Sequence, residues 1–241
     1  MAGGAVGGAL GFLCAGPIVA AAAGAGGVLI TKALVAVGDE ISDRILAPRE
    51  KARIGATLAI SADTVRKRIE NGDPPRQDEF VDDGSDHPPI EEITEGLLLA
   101  AQRAYDEKRV PYIGRLSGNL NFRPDLNTAA ASWLTRLAQD ISYTQLCMLR
   151  LELENVQGEP LRGGRIENKR TKGPAHAAYL AEIFNLYQRS LINFGDAAVF
   201  SVLDTNPPAM ALQGYGVHLY DLMELGRIPK EDLRPIREAL S

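Results

Sequence analysis

Charge is missing from the start of this chain: no Asp, Glu, Lys or Arg precedes Lys32 in its 241 residues. Histidine is scarce, with three in all, and cysteine is limited to Cys14 and Cys147, both in apolar stretches. So few cysteines argue against a disulfide framework and point to reduced, buried thiols in a cytosolic protein. Three histidines without triad or metal-ligand spacing leave no visible pattern for nucleophilic or metal chemistry. The expectation is a non-enzyme without catalytic, cofactor-binding or metal-binding residues. A net charge of −5 gives no general attraction for nucleic acid, so nucleic acid is not an expected partner. A secretory signal is disfavoured as well, because the opening has no basic n-region and its apolar stretch runs too long.

What the opening does contain is glycine and alanine. Gly3, Gly7 and Gly11 fall four residues apart, and Gly4 and Gly8 lie beside them. On a helix they form one smooth ridge that lets two helices approach to backbone distance. The whole stretch 2–31 would reach about 45 Å as a helix, more than a bilayer's hydrocarbon core, with Pro17 kinking it. Alanine and glycine drive insertion weakly, and each glycine costs the helix about 0.8–1.0 kcal/mol against alanine. Such a segment suits a protein that enters a membrane only on assembly. It equally suits a small-residue helix pair buried in a soluble oligomer. The five glycines are therefore the expected membrane or oligomer contact, and the expected partners are copies of the chain itself, membrane lipid and a regulatory protein. Lys32, Arg44, Arg49, Lys51 and Arg53 follow the apolar stretch and no base precedes it, so the positive-inside rule leaves the rest of the chain in the cytoplasm.

Beyond Asp39 the pattern is that of amphipathic helices. The expected organisation is an apolar segment at 1–38, two helices at 39–71 divided by Pro48, an acidic Pro-rich linker at 72–89, and a helical body at 90–241. Asp82, Asp83 and Asp86 in the linker do not follow the spacing of a calcium loop, and His87 beside them reads as solvated. The body's apolar faces are expected to complement one another without what precedes them. It starts "PPIEEITEGLLLAAQ" with prolines and acids at a helix start. Asn127 or Thr128 caps a helix through Asp140, Ser142 and Gln145 form a capping box for the next, and Trp133, Leu134, Leu137, Cys147, Met148 and Leu151 are core candidates. The Gly-rich basic stretch 156–173 lacks phosphate-loop order. A helix from Pro174, two short strands around "DTNPP", and the helix with His218 make a winged-helix-like unit whose wing carries no base. The fold class is mainly α, with a small C-terminal β-hairpin.

The runs "EGLLLAAQRAYDEKRVPYIGRLSGNL", "ISYTQLCMLRL" and "LINFGDAAVFSVL…GYGVHLYDLMELGRI" together resemble bacterial proteins of the abortive-infection alpha type and related helical proteins. The resemblance spans about residues 90–230 and leaves out the Gly/Ala-rich opening. It implies an α-rich fold and a role in phage defence, and supplies no catalytic residue.

Overall fold

The computed structural model describes residues 25–42, 46–156 and 171–240, which form nine α-helices and one small antiparallel sheet. They fall into two compact units, one ending at Ile141 and the other starting at Ser142.

In the first unit, α1 (Ala25–Ser42) carries Ile30, Ala33, Leu34, Val37 and Ile41 at three- and four-residue steps. These five side chains are buried, against α2 (Pro48–Glu70) and α3 (Pro89–Gln102). Helix α2 (Pro48–Glu70) starts on a proline, where the missing N–H costs nothing, and Glu50 accepts the Ala47 N–H at 2.8 Å. Its outer face is tied by ion pairs of Arg66 and Lys67 with Asp63 and of Arg66 with Glu70. Its inner face buries Ile54, Leu58, Ala62 and Val65. The chain turns at Asn71–Gly72, where Gly72 has φ 85°. Helices α3 (Pro89–Gln102), α4 (Val110–Leu120) and α5 (Thr128–Asp140) complete the unit. The α5 start is capped by Asn127, which accepts the Ala130 N–H at 2.9 Å.

The expected boundary at 38/39 lies inside α1, which runs on to Ser42. The expected linker, 72–89, lies inside the first unit and is fastened to it. Arg76 is 4% exposed and grips Asp78 with two hydrogen bonds of 2.7 and 2.6 Å. Its Nη1 donates to the carbonyls of Arg123 and Leu126, and its guanidinium lies 4.0 Å from the Phe80 ring centre. Phe80 and Val81 are buried, and the longest exposed run of the stretch is Asp82 through His87.

The second unit is organised around α6 (Tyr143–Val156). Ser142 and Gln145 form the expected capping box, each side chain bonding the other's backbone N–H at 3.1 Å. Leu146, Cys147, Met148, Leu149 and Leu151 are all buried, so α6 is apolar on most sides and central. Around it pack α7 (Pro174–Gln188), α8 (Tyr215–Leu222), α9 (Lys230–Leu240) and the strand Ala211–Leu212. Strands β1 (Ile192–Asn193) and β2 (Ala211–Leu212) pair antiparallel, Ile192 opposite Leu212 and Asn193 opposite Ala211. Gly216 is obligatory at the start of α8: a Cβ there would stand 2.0 Å from the Leu191 carbonyl oxygen.

The small sheet is where a hairpin was expected, but its strands flank the "DTNPP" region at a distance. Val202–Asp204 and Pro207–Ala209 are single 3₁₀ turns, and Phe200 is exposed. Pro207 and Pro208 have no N–H for a ladder, which confines pairing to the residues beyond them. Trp133 also departs from expectation. It is 37% exposed, with the Arg136 guanidinium 4.7 Å from its ring centre, because α5 turns Leu134, Thr135, Leu137 and Ala138 inward instead.

Candidate functional site

The five glycines expected to make the membrane or oligomer contact, Gly3, Gly4, Gly7, Gly8 and Gly11, lie outside the described residues, as does Arg44. The described end of the uncharged opening, from Ala25, belongs to α1 and is held in the first unit by Ile30, Ala33 and Leu34. Of the bases that follow, Lys32 is exposed on α1, while Arg49, Lys51 and Arg53 lie in the first turns of α2.

A glycine pair with the same four-residue spacing is visible deeper in the chain. Gly114 and Gly118 lie on the face of α4 that meets α2. A Cβ at Gly114 would stand 2.9 Å from Thr57 O and from Ile60 Cβ, and one at Gly118 2.8 Å from Ser61 O and 2.6 Å from Thr64 Cβ. The opposing α2 face supplies Thr57, Ser61 and Thr64, all buried. Thr57 and Thr64 return their hydroxyls to the carbonyls of Arg53 and Ile60, so neither brings an unmet donor into the seam. Small residues on both faces permit this close helix approach, built here within the first unit.

Besides Arg76, three charged-type side chains are buried among the described residues, Arg109, Glu152 and His176, each with a structural partner. Arg109 is 3% exposed and donates to the Ala138 and Gln139 carbonyls at the end of α5; burial lowers its pKa. Glu152 on α6 is 4% exposed, and burial raises its carboxyl pKa against the opposing hydrogen bond from the Leu212 backbone. His176 accepts the Lys172 N–H on Nδ1 at 3.1 Å; burial, with Lys172 nearby, lowers its pKa. The sequence offered no signal for Arg109 or Glu152, because their surroundings come from distant segments.

Asp82, Asp83, Asp86 and His87 are exposed as expected, with Asp82 and Asp83 turned back on their own loop through Gly84 and Ser85. His218 is half-buried against Tyr215, 5.7 Å between ring centres. Among the described residues no group of three or more His, Cys, Asp or Glu side chains is arranged to hold a metal ion. An open cavity of about 530 Å³ lies beside Arg76, Asp78, Glu79, Asp82, Asn127 and Thr128, where Arg76 already neutralises Asp78. A second, of about 370 Å³, lies beside Arg49, Arg53 and Glu107.

Comparison of the chain with family models, curated proteins and solved structures found no match. No helix among the described residues is long and apolar enough to cross a membrane.

Proposed function

We propose that this chain is a membrane-acting effector of bacterial phage defence. Its apolar opening oligomerises in the inner membrane through Gly3, Gly4, Gly7, Gly8 and Gly11, under control of the helical, cytoplasmic body. The observation that carries the reading is the repeated four-residue glycine spacing within an uncharged stretch. The seam at Gly114 and Gly118 supports it by showing this backbone approach elsewhere in the same chain. Because Ile30 on α1 is buried in the first unit, the inserting segment precedes it, within residues 2–29. As a helix that stretch would measure about 42 Å, still enough for the hydrocarbon core. The reading requires no catalytic residue, and the phage-defence setting rests on the family resemblance of residues 90–230.

The test is cell fractionation and dye leakage with the full chain and with Gly7→Leu/Gly8→Leu. Leucine raises hydrophobicity and helix propensity, so membrane association should persist. Its side chains fill the contact face, so leakage and toxicity should fall. A double variant that leaks dye like the wild type removes the glycine ridge from the mechanism.

A second reading, a soluble homo-oligomeric scaffold with the opening helices packed in the oligomer core, is favoured by α1 itself. Its apolar stripe is buried against α2 and α3, so part of the opening already packs against protein. A wild-type chain that never enters the membrane fraction, yet elutes as an oligomer that residues 1–24 are needed to form, decides for this reading.

A further inference from the structure

We propose that the cleft between the first turns of α2 and the start of α4 is a binding site for a phosphate monoester on a compact apolar body, with Glu107 the group that the phosphate displaces. The inference is independent of the membrane reading, since every residue it uses lies in the first unit.

Two guanidinium groups converge there on one carboxylate oxygen. Arg49 Nη2 and Arg53 Nη2 stand 3.3 and 3.4 Å from Glu107 Oε1. Charge-assisted hydrogen bonds normally close to about 2.7–2.9 Å, and arginine prefers to offer two parallel donors to two oxygens. A single shared oxygen gives neither arginine that geometry. The Arg49 side chain is 80% exposed and that of Glu107 53%, so the contact is solvated and worth only about 0–1 kcal/mol. Displacing Glu107 is therefore cheap.

Arg53 is different in kind. Its side chain is 15% exposed, and its Nη1 donates at 2.9 Å to the carbonyl of Gln102, the last residue of α3. That bond fixes the guanidinium plane before any ligand arrives, and the buried Nε has no partner. Both guanidinium groups face Glu107, and Glu50 lies near enough to attract Arg53 as well; Arg53 is preorganised and Arg49 is exposed and able to swing in. A dianionic phosphoryl group, with three oxygens to share between two forks, matches this better than a single carboxylate.

The rest of the cleft is apolar and shallow-walled. Ala52 and Ala56 lie one turn apart on α2, facing Val110 and Pro111. Their small side chains leave the cavity of about 370 Å³, within the range of about 300–1,000 Å³ usual for small-ligand sites. An ester group such as a ring fills this space while the phosphate takes the arginines.

Calorimetric titration of the full chain with phenyl phosphate, inorganic phosphate and benzoate tests each element. Phenyl phosphate should bind most tightly, inorganic phosphate more weakly for want of the apolar contact, and benzoate more weakly for want of the second charge. Glu107→Gln should tighten phenyl phosphate several-fold. Arg49→Gln, a change at an exposed residue outside the core, should weaken it by about tenfold or more, equivalent to about 1.4 kcal/mol. The proposal is overturned if neither the wild type nor Glu107→Gln gives saturable binding at millimolar phenyl phosphate. It is overturned equally if Arg49→Gln binds like the wild type, or if benzoate or inorganic phosphate matches phenyl phosphate.

Discussion

The Ser61 hydroxyl donates to the Ser117 hydroxyl across 3.0 Å, in a buried position between α2 and α4. The bond forms because Gly114 and Gly118 bring the two backbones together on either side of it. Adding one methyl group at Gly118 must push the helices apart or force Thr64 out of its place. Gly118→Ala should lower stability by about 1–3 kcal/mol, the usual cost of overpacking. Ser61→Ala should cost about 1 kcal/mol. Urea denaturation measures both; an unchanged midpoint for Gly118→Ala would mean that the helices have room to spare.

Cleavage by a nonspecific protease should start between Asp82 and His87, which are exposed, and spare 74–81, which Arg76 fastens down. Arg76→Met removes the grip on Asp78 and on two carbonyls. The variant should lose about 1.5–3 kcal/mol and admit cuts at 74–81. Mass spectrometry of the early fragments distinguishes the two patterns.

Glu152 predicts a stability difference that grows with pH. Its folded pKa lies above the unfolded one because the charged form is desolvated. The favourable contribution is complete below the unfolded pKa and is lost as pH rises through the folded value. Glu152→Gln keeps an acceptor for the Leu212 N–H and removes the charge. Relative to wild type it should gain stability at pH 8, with the gap closing toward pH 4. Thermal melts across that range check the slope; a pH-independent gap would assign the effect to packing.

His176 acts in the opposite sense. Its folded pKa is depressed, by burial first and Lys172 second, so its contribution is present above the unfolded pKa and lost as pH falls through the folded one. Protonation also removes the Nδ1 acceptor that holds the Lys172 N–H. Below about pH 6.5, the ordinary imidazole value, the start of α7 should loosen. The protection factor of the Lys172 amide should fall there, and His176→Asn should abolish the pH dependence of that protection.

Removing residues 1–24 should leave a cooperative melt, whereas a chain starting at residue 85 should lose the first unit. The sequence suggested that the body from Ile90 is self-sufficient. In the structure α4 has its most extensive packing against α2, and α3 is covered by α1 and α2. Circular dichroism and a thermal melt of the two truncations decide the matter; a cooperative first unit from residue 85 would show that α1 and α2 are accessories.

Elements whose determinants are local were legible. The Asn127 cap, the Ser142–Gln145 box and the proline starts of α2, α3 and α7 all carry their partners within four residues. Arg76 was not legible, because what makes it a fastener is the carbonyls of Arg123 and Leu126, far along the chain. The Arg49–Arg53–Glu107 cleft was hidden for the same reason. Read alone, Arg49 and Arg53 are helix-surface bases, and only the fold brings Glu107 and the Gln102 carbonyl to them. The Gly114–Gly118 pair has a readable spacing, but the small face opposite it belongs to another helix.

The burial of Ile30 has a mechanical consequence. From Ala25 to that anchor the rise along α1 is about 7.5 Å, so the helix is clamped to the first unit close to its described start. Copies recruited through residues 1–24 would bring their first units along at nearly the same spacing. The girth of the folded part, more than the stickiness of the glycines, would then limit how many subunits fit around one ring. Enlarging an exposed loop of the first unit, such as 82–87, would be a way to shrink or block the assembly without touching the segment that forms it.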